Sequence, residues 1–277
     1  MILLLTPWVV IAAILPLSLL LIRNINKFYY RTLMTAISLV IMATYGMLAA
    51  ITFPIFGYTH HINSSVATGY YYLGLYLCGI EVVPEDIENL EVKGPVIFVC
   101  NHQSSLDIML MGKVYPQNTT IVAKKELKYY PFLGWFMRLT RVIFLDRKNR
   151  ENAVKEARQA ALDIHKKNTN VWVFPEGTRG HESEITLLPF KKGPFYMAVQ
   201  AKVPIVPVVI GNYSHLYSAK QKRYDSGAIR CRVLPPISTE NVKEESADIE
   251  ELATECRRQM LDVLKEISSS EALKKAQ

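Results

Sequence analysis

Two short segments of this sequence carry side chains whose types and spacing could do chemistry. They are Asn101-His102-Gln103-Ser104-Ser105-Leu106-Asp107 and Phe174-Pro175-Glu176-Gly177-Thr178-Arg179. An imidazole titrates in the range where it can take the proton of an attacking hydroxyl. A carboxylate on its other ring nitrogen would fix the tautomer and stabilise the imidazolium, and Asp107 can reach His102 if the turn folds back. Ser104 followed three residues on by Asp107 is also a helix-capping pattern, so capping and catalysis both stay open for that carboxylate. In the second segment Arg179 offers a planar fork for phosphate and Gly177 lets a ligand approach the backbone closely. Glu176 can accept hydrogen bonds from a ligand's hydroxyls or hold Arg179 in place. Taken singly, a histidine is more often structural, and a Glu-Arg turn is more often a surface ion pair.

Both segments follow short apolar runs, 96–100 and 171–174, and loops at strand ends are favoured places for functional side chains. Residues 121–123, 142–145 and 205–210 read as further strands. Ala153, Ala157, Ala160 and Ile164 recur at helical spacing, as do Ile249, Leu252, Cys256, Met260, Val263 and Ile267. The pattern predicts an α/β domain, a central mixed sheet flanked by helices.

The N-terminal part differs. Residues 2–22 and 32–59 are uncharged runs, each long enough to be a membrane helix, which predicts a two-helix apolar anchor over 1–69 ahead of an α/β domain over 70–277. Tyr58, Tyr70, Tyr71, Tyr72 and Tyr76 cluster where that anchor would meet water, as interfacial rings or as ordinary core aromatics. Arg23, Lys27 and Arg31 between the runs favour a cytosolic loop. The terminal Lys274-Lys275-Ala276-Gln277 resembles a dilysine retrieval signal of endoplasmic reticulum proteins. A helical hairpin dipping into one leaflet, with the catalytic domain facing the cytosol, is consistent with both.

The charge total of +7 divides into +3 for the first 80 residues, where Arg23, Lys27 and Arg31 are the only charges, and +4 for the rest. Such a balance suits anionic lipids, phosphorylated substrates or nucleic acid, but no nucleic-acid module is recognisable. Cys78, Cys100, Cys231 and Cys256 are widely spaced and read as reduced thiols. The histidines lack metal-ligand spacing, which favours a metal-free mechanism. No GxSxG element supports a serine hydrolase.

Together the two segments resemble the glycerophospholipid acyltransferase family, whose members carry a His-x4-Asp motif and, downstream, a Glu-Gly-Thr-Arg motif. The resemblance covers about residues 70–215 and includes Ala123-Lys124-Lys125-Glu126-Leu127, Phe144-Leu145-Asp146-Arg147, Leu188-Pro189-Phe190-Lys191-Lys192-Gly193 and Val203-Pro204-Ile205-Val206-Pro207-Val208. Within that family the likeness is to 1-acylglycerol-3-phosphate acyltransferases. It implies acyl transfer from acyl-CoA, as co-substrate and with no cofactor, to the sn-2 hydroxyl of lysophosphatidic acid, giving phosphatidic acid at a lipid bilayer. His102 would be the base and Asp107 its partner. Glu176, Gly177, Thr178 and Arg179 would hold the acceptor, with Lys124 and Arg147 near its phosphate. Another lysophospholipid acceptor, or glycerol 3-phosphate, is the alternative, and a noncatalytic lipid-binding protein is a further one. Arg141 stands where many relatives carry Gly, which bears on local backbone shape and acceptor preference.

Overall fold

The computed structural model of the chain describes residues 26–140, 142–145, 150–180 and 184–268. The apolar run at 32–59 forms most of α1 (Lys27–Thr52). Asn26 starts this helix: its backbone is extended and its side-chain oxygen accepts from the amides of Phe28 and Tyr29, two donors that a first helical turn leaves open. A 3-10 turn at Phe53–Phe56 carries Pro54 and ends at Gly57, whose φ of 78° favours glycine.

The chain continues through α2 (Ile62–Cys78), β1 (Ile80–Glu85), β2 (Ile97–Cys100), α3 (Asp107–Leu110), β3 (Thr119–Lys124) and α4 (Leu133–Leu139). Then come β4 (Ile143–Leu145), α5 (Arg150–Lys167), β5 (Asn170–Val173), α6 (Gly193–Ala201) and β6 (Ile205–Ile210). A hairpin of β7 (Tyr217–Ser218) and β8 (Arg223–Tyr224), then β9 (Gly227–Val233) and α7 (Ser246–Ile267), complete the described chain.

Seven strands form one mixed sheet in the order β1-β9-β6-β2-β5-β3-β4, with β6 and β9 the antiparallel pair. The central strands are apolar on both faces, as burial between two layers of helices requires. On β2, Phe98 and Cys100 belong to a core shared with α1, α2, α3 and α4, whereas Ile97 and Val99 pack with α5, α6 and α7. From β2 the chain passes beyond β5 to reach β3, and from β5 it returns past β2 to reach β6. The carboxyl ends of β2 and β5 therefore flank a point where crossovers diverge, which opens a crevice at the sheet's edge. Loops bearing His102 and Glu176 leave from those two ends.

The predicted α/β sandwich and its strands at 96–100, 121–123, 142–145, 171–174 and 205–210 are present, each within two residues of the expected limits. Among the described residues one helical segment, Lys27–Phe56, is long and apolar enough to cross a membrane, not two; the first apolar run, 2–22, lies outside the described residues, as do Arg23 and the terminal lysines. Residues 70–90 form the second half of α2, then β1 and a short turn. Tyr70 and Tyr71 are buried there, and Tyr71 Oη accepts from the Val82 amide at 3.0 Å, while Tyr58, Tyr72 and Tyr76 are exposed. Finally, β1 and β9 were not expected at all. They carry Glu85 on β1 and Arg230 and Arg232 on β9, both arginines pairing with Glu85, and these charges interrupt the apolar pattern.

Candidate active site

The site begins with an asparagine. Asn101, fully buried, donates from Nδ2 to the Ile210 carbonyl at 2.9 Å and accepts the Ile210 amide on Oδ1 at 2.8 Å. Its side chain thus extends the β2–β6 pairing by one rung while its backbone turns away. The next residue is His102.

Asp107, with no exposed surface, is the hub of the turn that follows. Its Oδ2 accepts the amides of Gln103 and Ser104 at 2.6 and 2.8 Å and faces His102 Nδ1 at 2.8 Å. Its Oδ1 accepts the Tyr213 hydroxyl at 2.5 Å. The capping contact and the contact to the imidazole therefore share one carboxylate. Because that carboxylate only accepts, Nδ1 must carry the imidazole's proton, and Nε2 is left as the basic nitrogen. The His102 ring stacks on Phe174, centroids 4.3 Å apart at 26°, which fixes its plane.

Tyr213 was not anticipated from the sequence. It is buried, and burial followed by the Asp107 charge holds its hydroxyl well above the usual phenol range, so it stays a donor. Its oxygen also lies 2.9 Å from Ser104 Oγ, which in turn accepts the Leu106 amide at 3.0 Å. With Asp107 as terminal acceptor, the chain of donors runs Leu106, Ser104, Tyr213, Asp107. The available signal was position: Gly211-Asn212-Tyr213 follows β6 directly, as His102 follows β2.

Glu176, expected to hold the acceptor, is buried. Its Oε1 accepts the backbone amide of His102 at 2.8 Å and its Oε2 the amide of Leu188 at 2.9 Å. The Gly180 amide donates to the His102 carbonyl at 2.8 Å. The peptide groups on both sides of His102 are thus bound to the second motif. Burial raises the Glu176 pKa above the ordinary carboxylate range, and the two backbone donors oppose that rise. Gly177 takes a φ of 71°, where any side chain would be strained, and so reverses the chain between Glu176 and Arg179.

His102, Lys124, Thr178 and Arg179 line one cleft of 890 Å³. Lys124 stands at the end of β3, and Thr178 and Arg179 are exposed. Away from these groups the cleft wall is largely apolar, with Leu39, Met42 and Ala43 from α1, Val66 from α2, and Phe136 and Met137 from α4, although Asn63 and Glu126 also line it. Arg147 and Arg141 lie outside the described residues. Cys100, two residues before the histidine, is fully buried, and burial drives its thiol pKa far up, which disfavours the thiolate.

This arrangement can deprotonate a hydroxyl at one end of a small polar molecule while cationic side chains bind an anionic group at the other. Residues 81–211 match the family model described as Acyltransferase. The chain is 42% identical over 246 residues to a Saccharomyces cerevisiae protein named 1-acyl-sn-glycerol-3-phosphate acyltransferase, covering 89% of this chain and 80% of that one. It is 41% identical over 194 residues to the human protein named 1-acyl-sn-glycerol-3-phosphate acyltransferase alpha, covering 70% and 67%. The crystal structure of the 1-acyl-sn-glycerophosphate (LPA) acyltransferase PlsC from Thermotoga maritima shares the fold, with a TM-score of 0.70 and 24% identity over 90% of this chain and 99% of that one. By the extent of these likenesses the chain belongs to the glycerophospholipid acyltransferase family, alongside relatives named 1-acyl-sn-glycerol-3-phosphate acyltransferase.

Proposed function

We propose that this protein transfers the acyl group of acyl-CoA to the sn-2 hydroxyl of lysophosphatidic acid, giving phosphatidic acid. The observation that carries the reading is that the His102 imidazole and the Arg179 guanidinium open onto one cleft whose remaining wall is largely apolar. A lysolipid has the matching parts: phosphate, free hydroxyl and hydrocarbon tail.

In the proposed reaction His102 Nε2 takes the proton of the acceptor hydroxyl as its oxygen attacks the thioester carbonyl. A C–O bond forms, the C–S bond breaks, and the coenzyme A thiolate takes up the proton from the imidazolium. Asp107 stabilises that imidazolium. Arg179 and Lys124, with Arg147, hold the acceptor phosphate; Gly177 and Thr178 shape the loop that presents Arg179. Glu176 acts through the backbone, holding His102 in register with that loop.

The anchor over 1–69 and catalytic domain over 70–277 remain the proposed division of labour, although α1 also forms part of the cleft wall. The exposed Leu48, Ile51, Ile55 and Phe56 support a membrane location. We place the protein at the endoplasmic reticulum with its cleft toward the cytosol, where acyl-CoA is met.

The test is mass-spectrometric product analysis after mixing purified protein and labelled acyl-CoA with lysophosphatidic acid, lysophosphatidylinositol and glycerol 3-phosphate. Phosphatidic acid should dominate. Consumption of another acceptor in preference would keep the reaction and replace the substrate, and consumption of none would overturn both. Arg179→Ala should raise the acceptor KM and leave the donor KM unchanged, because a lost phosphate contact is a binding loss.

A further inference from the structure

One rim of the cleft is a turn and short helix, residues 124–139, whose two sides are both apolar. Toward the inside, Leu127, Leu133 and Phe136 line the cleft. Toward the outside, Tyr129 and Trp135 are 74% and 49% exposed, and Phe132 and Leu139 are exposed with them. Phe132, Trp135 and Leu139 recur at three and four residues and share one helical face.

The backbone is built to hold these rings outward. Phe132 adopts a φ of 58°, an unfavourable conformation for a bulky residue. Gly134 packs so closely that a Cβ would lie 2.6 Å from the carbonyl oxygens of Leu127 and Lys128. Amides of Leu133 and Gly134 donate to Pro131 and Tyr130 at 2.6 and 2.8 Å. The Phe132 and Trp135 rings pack at 5.4 Å.

Charge surrounds the patch: Lys124, Lys125, Lys128 and Arg138 against Glu126, a local excess of +3. Helix α1 adjoins it where Gly46, lacking a Cβ that would meet the Phe136 ring at 2.5 Å, lets α4 approach.

We propose that residues 124–139 form a second membrane contact, docking on the headgroup layer of an anionic bilayer and holding the cleft's rim there, so that a lysolipid enters sideways without crossing water. The proposal rests on the reading above that the acceptor resides in a bilayer. Exposed Trp and Tyr rings suit headgroup depth, and the cationic excess selects an anionic surface.

The test uses full-length protein reconstituted in vesicles of phosphatidylcholine with one quarter phosphatidylserine, about 25% anionic lipid. Tryptophan emission is quenched with phosphatidylcholine brominated near the headgroup. All measurements use a Trp8→Phe background, and Trp172 has no exposed surface and reports little, so the difference between that background and the same protein with Trp135→Phe isolates the rim. A large drop in the quenchable fraction in the variant supports docking; equal quenching overturns it. The double variant Lys128→Gln with Arg138→Gln should lose about fivefold in vesicle-based turnover for each charge removed. Its turnover of a short-chain lysolipid dissolved in water should stay at the wild-type rate. Unchanged vesicle turnover, or equal loss on both substrates, would overturn the proposal. Should wild-type protein acylate neither lysolipid, the acyl-transfer reading fails, while the quenching result still decides docking.

Discussion

Replacing Glu176 by Gln separates two roles that this side chain could have. In the structure its two oxygens accept backbone amides from His102 and Leu188 at 2.8 and 2.9 Å. Gln keeps the volume and one carbonyl, but its NH2 must face one of those two donors. Loss of one charge-assisted bond costs about 1.5 to 3 kcal/mol. Removing a buried charge relieves part of that loss, since burial already raises the Glu176 pKa. A net destabilisation of about 2 kcal/mol follows, or roughly 4 to 8 °C in Tm for a domain of this size. The raised folded-state pKa also fixes a sign. Stability from protonated Glu176 is fully present below the ordinary carboxylate range and is lost as pH climbs through the raised value. Gln cannot titrate, so the Tm gap between wild type and variant should narrow over that climb. For catalysis, a shift of His102 on the order of 1 Å is worth about 10²-fold in kcat, with both KM values near wild type. Thermal melts and two-substrate kinetics on detergent-solubilised protein measure all three. Full stability and full kcat with a raised acceptor KM would refute the backbone role and make Glu176 a ligand for the substrate.

Other outcomes are expected from the same geometry. His102→Ala should fold normally and lose about 10²- to 10⁴-fold in rate; retained turnover would remove the base. Tyr213→Phe deletes one donor to Asp107 and should lower kcat by about tenfold with both KM values unchanged, and a wild-type kcat would show that the Tyr213 hydroxyl does not position Asp107. Cys100→Ser should keep turnover with sequential kinetics, whereas ping-pong kinetics in the wild type together with an inactive variant would point to an acyl-cysteine. Burial would push Glu85 up, but hydrogen bonds from Arg230 and Arg232 outweigh it and hold its pKa low. Its contribution is therefore present above the ordinary carboxylate range and lost as pH falls through the lowered value. Glu85→Gln should cost about 1 to 3 kcal/mol near neutral pH, a deficit that closes in acid.

What could be read in advance follows the reach of each interaction along the chain. His102 and Asp107 are five residues apart, so their pairing is a property of one turn and was visible as a spacing. Tyr213 reaches Asp107 across 106 positions and Glu176 reaches His102 across 74, and only strand order brings either pair together. Even then, Glu176 was expected to meet a ligand or Arg179, because backbone amides leave no trace in side-chain patterns. Helix α1 was legible from its uniform apolarity. Helix α2 was not, because Asn63, Ser64, Ser65 and Thr68 break its apolar stripe while satisfying helix or neighbouring carbonyls. Strands β1 and β9 were hidden by the Glu85 and Arg230 pairing, which requires the sheet before it makes sense.

The peptide groups of His102 are fastened at the amide to Glu176 and at the carbonyl to Gly180, on either side of Arg179. The proposed base and Arg179 are consequently carried on one calliper, the opening between their backbones being set by main-chain geometry. Inserting a single residue between Gly177 and Gly180 should reset that opening and alter which hydroxyl of a bound glycerol skeleton faces the imidazole, with every reactive side chain still present.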